Sequence, residues 1–347
     1  MADPIRTEPI GGVDDANGLV PDDLGFMCGI EVHQQLATGK LHSRQPGVLY
    51  DVTIDTVPEQ WNRFHRRLRA ARGEGGAIDI AARFETRRNR SFVYVQSPNS
   101  GLIELDEQPP LPHDDEAVSI ALTVSALLNA KPVSLLQTMR KTVVDGSNTS
   151  GFQRTSLVSV DGVLQTETGP VGVDVLCLEE DSARKLDTIS TGDGEQVLYN
   201  LDRLGLPLIE IATAPDVLTP EHAKETSMAL GRCLRQTRKV RRGLGSIRQD
   251  LNVSLACGDR VEIKGCQDLS WIPRIIRLEM ARQLHFYRLA NELRTQLSLP
   301  LLPPDRRSDE ATLEQQVSQA VEKHLPLALN DVSECFTSCD SKMVQTG

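Results

Sequence analysis

The fold is decided by three acidic segments of the chain, Cys177-Leu-Glu-Glu-Asp-Ser182, Tyr199-Asn-Leu-Asp-Arg-Leu-Gly-Leu-Pro-Leu-Ile-Glu-Ile211 and Ile247-Arg-Gln-Asp-Leu-Asn-Val-Ser254. In each segment an acidic residue lies inside or beside a β-prone apolar run, where burying an unpaired charge costs several kcal/mol. If three strands bring these carboxylates to one point, they form an oxygen-rich site that suits a hard ion such as Mg²⁺. The alternative is that each acid faces solvent on an amphipathic strand or pairs with a neighbouring arginine.

The bulk composition limits the class of protein. The chain has 347 residues, of which 39% are hydrophobic and 25% are charged, and this indicates a soluble globular protein with room for more than one domain. No apolar run approaches the roughly 20 residues of a membrane span. The N-terminus lacks the features of a signal peptide. We therefore expect a cytoplasmic protein that does not enter a membrane.

Positive charge is clustered along the chain, although the net charge is −10. The acidic total argues against indiscriminate nucleic-acid binding. One basic run nevertheless contains Arg232, Arg235, Arg238, Lys239, Arg241, Arg242 and Arg248. This run either contacts a phosphate backbone on one face of the protein or is a solvated helix face.

Alternating residues and turn signals predict strands joined by hairpins. The first strand pattern places Glu31 and His33 on the same face, where they either ligate a metal or form an ordinary exposed surface. Asp161-Gly162 is a hairpin signal, whereas Thr219-Pro220 begins a helix and residues 61–71 have a helical pattern. Together these signals predict an α+β fold with a largely antiparallel sheet and flanking helices on one side.

A polar loop, Asp145-Gly-Ser-Asn-Thr-Ser-Gly151, follows a short β-prone run and has Arg140, Lys141 and Arg154 at its edges. Its hydroxyls, backbone donors and permissive glycines suit an anion such as phosphate or a carboxylate. It is not a Walker A loop, because no Gly-x-x-x-x-Gly-Lys-Ser/Thr pattern occurs. The alternative is a long polar turn at the surface.

Six motifs follow one another in an order that is not generic. They are Gly29-Ile-Glu-Val-His-Gln-Gln-Leu36, Met139-Arg-Lys-Thr-Val-Val-Asp-Gly-Ser-Asn-Thr-Ser-Gly-Phe-Gln-Arg154, Cys177-Leu-Glu-Glu-Asp-Ser-Ala-Arg184, Leu201-Asp-Arg-Leu-Gly-Leu-Pro-Leu-Ile-Glu-Ile211, Ile247-Arg-Gln-Asp-Leu-Asn-Val-Ser254 and Val261-Glu-Ile-Lys-Gly265. This order resembles the GatB/GatE family, and within it the archaeal E-type members. The resemblance covers residues 25–294 almost continuously.

The resemblance implies a domain organisation for the chain. Residues 1–24 would be a flexible acidic leader and residues 25–296 the catalytic cradle domain. Residues 297–347 would form a linker and a helix, at 312–329, that lead to a C-terminal part missing from this sequence. Members of the family usually continue through further domains that help to hold tRNA.

The resemblance also implies a function, that of one component of a glutamyl-tRNA(Gln) amidotransferase. ATP would phosphorylate the γ-carboxylate of glutamate on tRNA(Gln), and ammonia would then displace phosphate to give Gln-tRNA(Gln). The implied cofactors are ATP and Mg²⁺. Ammonia would come from an asparaginase-like D subunit within a heterodimer or heterotetramer, because no amidase or glutaminase motif stands out in this sequence.

Site residues are implied in the same way. The metal ligands would be His33, Glu180 and Glu210, while Glu31, Asp250 and Lys141 would have catalytic roles. Contacts to phosphate or to the aminoacyl end would come from Ser147, Asn148, Thr149, Ser150 and Lys264. Mg²⁺ prefers oxygen ligands, so two alternatives remain for His33. It either supports the metal ligands without binding the ion directly, or it binds the ion in a site that tolerates Mn²⁺.

Two other functions remain as hypotheses at this stage. The chain could be a truncated, non-catalytic fragment that binds the D-subunit partner or tRNA without turnover, because the family's later domains are missing. A metal-dependent phosphohydrolase is the other hypothesis, and it rests on the acidic cluster alone.

Overall fold

The computed structural model describes residues 8–9, 11–12, 14–67, 76, 78, 80–192 and 194–306. The strands are β1 (Met27–Gln35), β2 (Arg63–Arg67), β3 (Arg90–Val95), β4 (Lys131–Pro132), β5 (Thr138–Thr142), β6 (Phe152–Gln165), β7 (Pro170–Glu180), β8 (Arg184–Thr191), β9 (Gly194–Asn200), β10 (Pro207–Thr213), β11 (Ile247–Ser254) and β12 (Val261–Ile263). The helices are α1 (Ile80–Arg87), α2 (Asp115–Leu127), α3 (Pro220–Gln236) and α4 (Ile272–Gln296).

The larger sheet has eight strands in the order β12-β11-β1-β10-β7-β6-β4, and β5 also pairs with β6. All of its pairings are antiparallel. The predicted α+β fold with a largely antiparallel sheet is therefore confirmed. Strand β1 lies between β10 and β11, which come much later in the chain, so the acidic segments meet beside the first strand.

The two faces of this sheet differ because side chains alternate along each strand. On β1, Ile30 and Val32 are buried in the main hydrophobic core, whereas Glu31 and His33 are only partly buried. Residues of α2, α3 and α4 belong to the same core. One face of the sheet thus packs on helices and leaves the other face for polar side chains. Helix α3 begins where the sequence predicted, and Thr219 accepts a hydrogen bond from His222 N at 3.1 Å.

A smaller sheet has the order β2-β3-β9-β8, in which β3 and β9 are parallel. Its separate hydrophobic cluster includes Tyr94 and Tyr199. Their hydroxyls donate to backbone oxygens of the polar loop, Tyr94 to Gly146 O at 2.7 Å and Tyr199 to Asp145 O at 3.0 Å. The smaller sheet therefore holds the backbone of the polar loop in place through these two hydrogen bonds.

Two local predictions are wrong. The helix predicted for residues 61–71 is replaced over Arg63–Arg67 by strand β2, because pairing with β3 overrides the local pattern; residues 68–71 lie outside the described part. Strand β6 runs straight through Asp161-Gly162, where a hairpin was predicted, and Gly162 pairs with Val173. The chain reverses only at Glu167 and Thr168, so that the apolar start of β7 can pair with β6.

Leu19 and Leu24, from the predicted leader, are buried in the main core. The described residues leave out positions 1–7, 10 and 13 of the predicted leader. They also leave out the predicted helix at 312–329. Within the part that the structure covers, no helix is long and apolar enough to cross a membrane.

Candidate active site

Four neighbouring strands deliver acidic side chains to the polar face of the larger sheet. His33 on β1 lies opposite Glu210 on β10, and Glu31 lies opposite Asp250 on β11. Strand β7 adds Glu179 next to Glu210, because Leu208 pairs with Glu179 two residues before Glu210. Residues that are distant in sequence therefore converge because of strand order and register.

His33 lies at the centre of this group. Its Nε2 atom is 3.3 Å from Glu31 Oε1, 3.5 Å from Glu179 Oε1 and 3.7 Å from Glu210 Oε2. Potential ligand atoms of Glu31, His33 and Glu210 all lie within 4.8 Å of one another. Such a set of carboxylate oxygens and one imidazole nitrogen is suitable for a divalent cation.

The electrostatics of the group reflect crowding of like charges in a partly buried place. Burial, and then the charge of Glu210, raise the pKa of Glu179 to about 7. Burial also raises the pKa of Glu31. Burial lowers the pKa of His33, but its polar contact with Glu210 and the carboxylate charges outweigh this effect and raise the pKa overall. The same contact with His33 lowers the pKa of Glu210. A bound cation would relieve this repulsion.

A second acidic group adjoins the first. Potential ligand atoms of Glu31, Asp250 and Glu262 also lie within 4.8 Å of one another. Lys264 neutralises part of this charge, because its Nζ is 2.9 Å from Asp250 Oδ2 and 2.6 Å from Glu262 Oε1. The hydrogen bond with Glu262 is the main reason that the pKa of Lys264 is raised to about 12.

Both groups line one cavity of 660 Å³, which we call the carboxylate pocket. Its acidic and imidazole lining consists of Glu31, His33, Glu179, Asp181, Glu210, Asp250 and Glu262. Lys141, Arg248 and Lys264 also line it, so cationic groups face the same space as the carboxylates. The pocket can therefore hold a cation and an anionic group side by side.

One expected metal ligand is not in this pocket. Glu180 follows Glu179 on β7, so its side chain points to the opposite face of the strand. There its carboxylate is buried and pairs with Arg154 Nη1 at 3.0 Å. The structure therefore does not bring Glu180 together with His33 and Glu210 as expected, and Glu179 lies beside His33 instead.

The polar loop lies beside the pocket, but its side chains are engaged elsewhere. Ser182, which lines the pocket, donates its hydroxyl to Asn148 Oδ1 at 2.9 Å. Ser147, Thr149 and Ser150 donate their hydroxyls to other groups of the protein, at 2.6 Å, 2.6 Å and 2.9 Å. None of the four loop side chains predicted to contact phosphate is among the residues that line the carboxylate pocket.

Asp181 has a positioning role that the sequence did not reveal. This carboxylate is 1% exposed, and its oxygens accept from Gln35 Nε2 at 2.6 Å and from Arg248 Nη2 at 2.9 Å. The ion pair between Asp181 and Arg248 holds the guanidinium at the wall of the carboxylate pocket. Strand alternation applied to the Glu179-Glu180-Asp181 triplet would have placed Glu179 and Asp181 on one face.

Comparison with known proteins identifies the family. Residues 26–325 match the family model described as the GatB/GatE catalytic domain. The chain belongs to the GatB/GatE family.

Its relatives include proteins named as the E-type subunit of glutamyl-tRNA(Gln) amidotransferase. The one from Methanocaldococcus jannaschii is 43% identical over 326 residues, which are 93% of this chain and 46% of that protein. The one from Pyrococcus furiosus is 47% identical over 274 residues, 79% of this chain and 42% of that protein. The one from Methanosarcina barkeri is 48% identical over 272 residues, with 78% and 42% covered. The matched part of this GatB/GatE chain spans less than half the length of each of these relatives.

Proposed function

We propose that this chain carries the phosphorylation and amidation site of a glutamyl-tRNA(Gln) amidotransferase. The relatives' names support the overall reaction, and the carboxylate pocket is the observation that carries the proposal. The pocket combines carboxylates from neighbouring strands with three cationic side chains in one cavity. This is the composition that phosphoryl transfer requires, because negative charge must be held and offset at the same place.

The proposed chemistry has two steps. An ionised γ-carboxylate is a poor electrophile, so one of its oxygens first attacks the γ-phosphorus of ATP, which releases ADP and leaves an acyl phosphate. Ammonia then attacks the acyl carbon, and the C–O bond to phosphate breaks. The products are the amide of Gln-tRNA(Gln) and hydrogen phosphate, which carries the proton that the attacking nitrogen loses.

The donor set fits Mg²⁺, since carboxylate oxygens are the ligands that this ion prefers. Glu31, Glu179 and Glu210 would hold it, with His33 as a further ligand or as the hydrogen-bond partner that orients Glu210. When bound, the ion would offset negative charge on the phosphates of ATP. Lys141 and Arg248 face the same cavity, and they would orient the phosphoryl oxygens through charge-assisted hydrogen bonds.

Ammonia has to be supplied by another protein in this proposal. The resemblance to E-type members favours an asparaginase-like D subunit as the donor. A high concentration of ammonium chloride near pH 8 provides free ammonia and should replace that partner in vitro. Amidation can therefore be tested separately from assembly.

The test measures phosphate release from ATP and formation of Gln-tRNA(Gln), with Mg²⁺, ammonium chloride and Glu-tRNA(Gln). Glu179→Ala and Glu210→Ala should each lower the rate at least about a hundredfold. Glu59→Ala removes an exposed carboxylate outside the pocket and should leave the rate unchanged.

The other outcomes separate the remaining hypotheses. Undiminished activity in both pocket variants would show that the carboxylate pocket is not the reaction site. Binding of tRNA or of the D subunit without phosphate release would favour a non-catalytic fragment. Phosphate release that does not require Glu-tRNA(Gln) would favour a phosphohydrolase.

A further inference from the structure

A second, smaller cavity adjoins the carboxylate pocket between α3 and β11. It has a volume of 200 Å³, and we call it the arginine cavity. Its polar lining consists of Ser227, Arg232, Arg235, Arg248, Gln249 and Gln267. Arg248 and Gln267 line both cavities, so the two spaces adjoin each other.

The arginine cavity differs from the carboxylate pocket in charge. Three guanidinium groups line it, and no carboxylate does. Arg232 and Arg235 are exposed, and within the described ranges neither has a carboxylate within ion-pairing distance. Only Arg248 is partly neutralised, by Asp181. Unpaired guanidiniums on a protein of net charge −10 mark a local anion site, since planar guanidinium groups match phosphate oxygens.

Helix α3 is shaped to hold one of these guanidiniums over its own backbone. A Cβ atom at Gly231 would lie 3.3 Å from Arg235 Nη1 and 3.5 Å from its Nη2. Glycine in a helix interior lowers stability relative to alanine, but here it leaves room for Arg235 to lie against the cavity wall. The arginine is thereby partly preorganised for a ligand.

An independent observation comes from Ser227. This residue is 5% exposed, and its hydroxyl is buried without a hydrogen-bond partner in the described structure. Buried hydroxyls are almost always hydrogen-bonded, and this one retains an unused donor beside the arginine cavity. The hydroxyl is a donor suited to a phosphate oxygen.

We infer that the arginine cavity binds a phosphate group of the substrate whose reacting end occupies the carboxylate pocket. The cavity is smaller than the roughly 300–1,000 Å³ of a site that encloses a whole small ligand, so it suits one phosphate group of a longer molecule. That phosphate belongs either to the backbone of an RNA 3′ end or to a nucleoside triphosphate. This inference rests on the proposed function for the identity of the substrate, but binding can be measured without turnover.

The test uses the 347-residue chain and two probes, a fluorescent single-stranded RNA ending in CCA and a non-hydrolysable ATP analogue with Mg²⁺. Arg232→Ala combined with Arg235→Ala should weaken binding of one or both probes at least about tenfold. For RNA it should also reduce the slope of log K against log salt by about 0.7, the contribution of one phosphate neutralised on a single strand. The probe that is affected identifies the source of the phosphate.

Two controls separate phosphate binding from general charge and from folding. Arg87→Ala combined with Arg260→Ala removes two exposed arginines that line neither cavity, and it should leave both affinities unchanged. Ser227→Ala should weaken the affected probe without changing the salt slope, because it removes a neutral donor. It should not lower Tm, because the hydroxyl has no partner in the free protein.

Several results would overturn the inference. These are equal binding of both probes by the arginine variant and its control, failure of the wild-type chain to bind either probe, or variants that alter Tm alone. Glu210→Ala distinguishes failure of this inference from failure of the proposed function. If arginine-dependent binding persists in Glu210→Ala while neither this variant nor the wild-type chain releases phosphate, the proposed function fails and the phosphate site stands.

Discussion

Replacing Glu179 by glutamine should abolish tight metal binding, whereas the same change at the adjacent Glu180 should not. The two residues are neighbours in one acidic motif, but they point to opposite faces of β7. Glu179 Oε1 lies 3.5 Å from His33 Nε2 in the carboxylate pocket. Glu180 pairs instead with Arg154 at 3.0 Å on the other face.

The expected magnitudes follow from these contacts. Removing one charged ligand costs about 4 kcal/mol, the Coulomb energy of two unit charges about 4 Å apart at an effective dielectric constant of about 20. This is about a thousandfold in affinity. Glu180→Gln weakens a buried ion pair, and breaking such a pair costs about 3–5 kcal/mol of stability. Because the amide can still accept a hydrogen bond from Arg154, we expect about 3 kcal/mol, at the lower end of that range.

Isothermal titration with Mg²⁺ or Mn²⁺ at pH 8, together with thermal unfolding in the presence of a chelator, measures both effects. Glu179→Gln should lose affinity and keep or gain stability, because it removes a carboxylate whose pKa is raised to about 7 by burial and by Glu210. Glu180→Gln should lose stability and keep its affinity. The reverse pattern, with metal binding lost only in Glu180→Gln, would refute the assignment of faces.

Three further predictions concern the surroundings of the site. Burial lowers the pKa of Lys40 from its ordinary 10.5 to about 8. Between pH 8 and 10.5 the unfolded chain therefore binds a proton at Lys40 that the folded protein lacks. The contribution of this group to the free energy of unfolding should rise by about 3 kcal/mol over that pH range. In Lys40→Met, chemical denaturation should show no such rise. Arg154→Met leaves a buried carboxylate unpaired and should lower the free energy of unfolding by about 3–5 kcal/mol, and an unchanged denaturation midpoint would contradict this. Gly146 has a φ of 84°, and a Cβ atom there would overlap the Phe92 ring, so Gly146→Ala should lower the free energy of unfolding by about 2–4 kcal/mol. Gly151 has a φ of 76° but open space around it, so Gly151→Ala should lower it by about 1 kcal/mol in the same assay.

The resemblance to the GatB/GatE family predicted several residues that line the carboxylate pocket. Glu31, His33, Glu210 and Asp250 were placed together from sequence, and they share one cavity in the structure. Lys264 was predicted to contact phosphate, and it lines the same cavity. The antiparallel sheet with helices on one face was also predicted, because hairpin and helix signals are local and the chain provides many of them.

Other features depended on contacts between distant segments. Residues 63–67 form a strand because they pair with β3. The local sequence pattern does not reveal this partner, which lies well apart in the sequence. The four side chains of the polar loop were predicted to face a ligand, but the loop folds so that they bond to the protein itself. Hydrogen-bond partners of this kind are chosen by tertiary packing and cannot be deduced from composition.

The sequence by itself determined which chemical groups are available and which strands carry them, since apolar alternation and acidic residues are written residue by residue. Only the tertiary structure decided which member of the acidic triplet lies beside His33, because a shift of one residue in a strand turns a side chain to the other face of the sheet. It also brought Arg232 and Arg235 of α3 to a cavity that shares Arg248 and Gln267 with the carboxylate pocket. The physical reason is that strand register and helix packing are set by burial of hydrophobic cores to which distant segments of the chain contribute together.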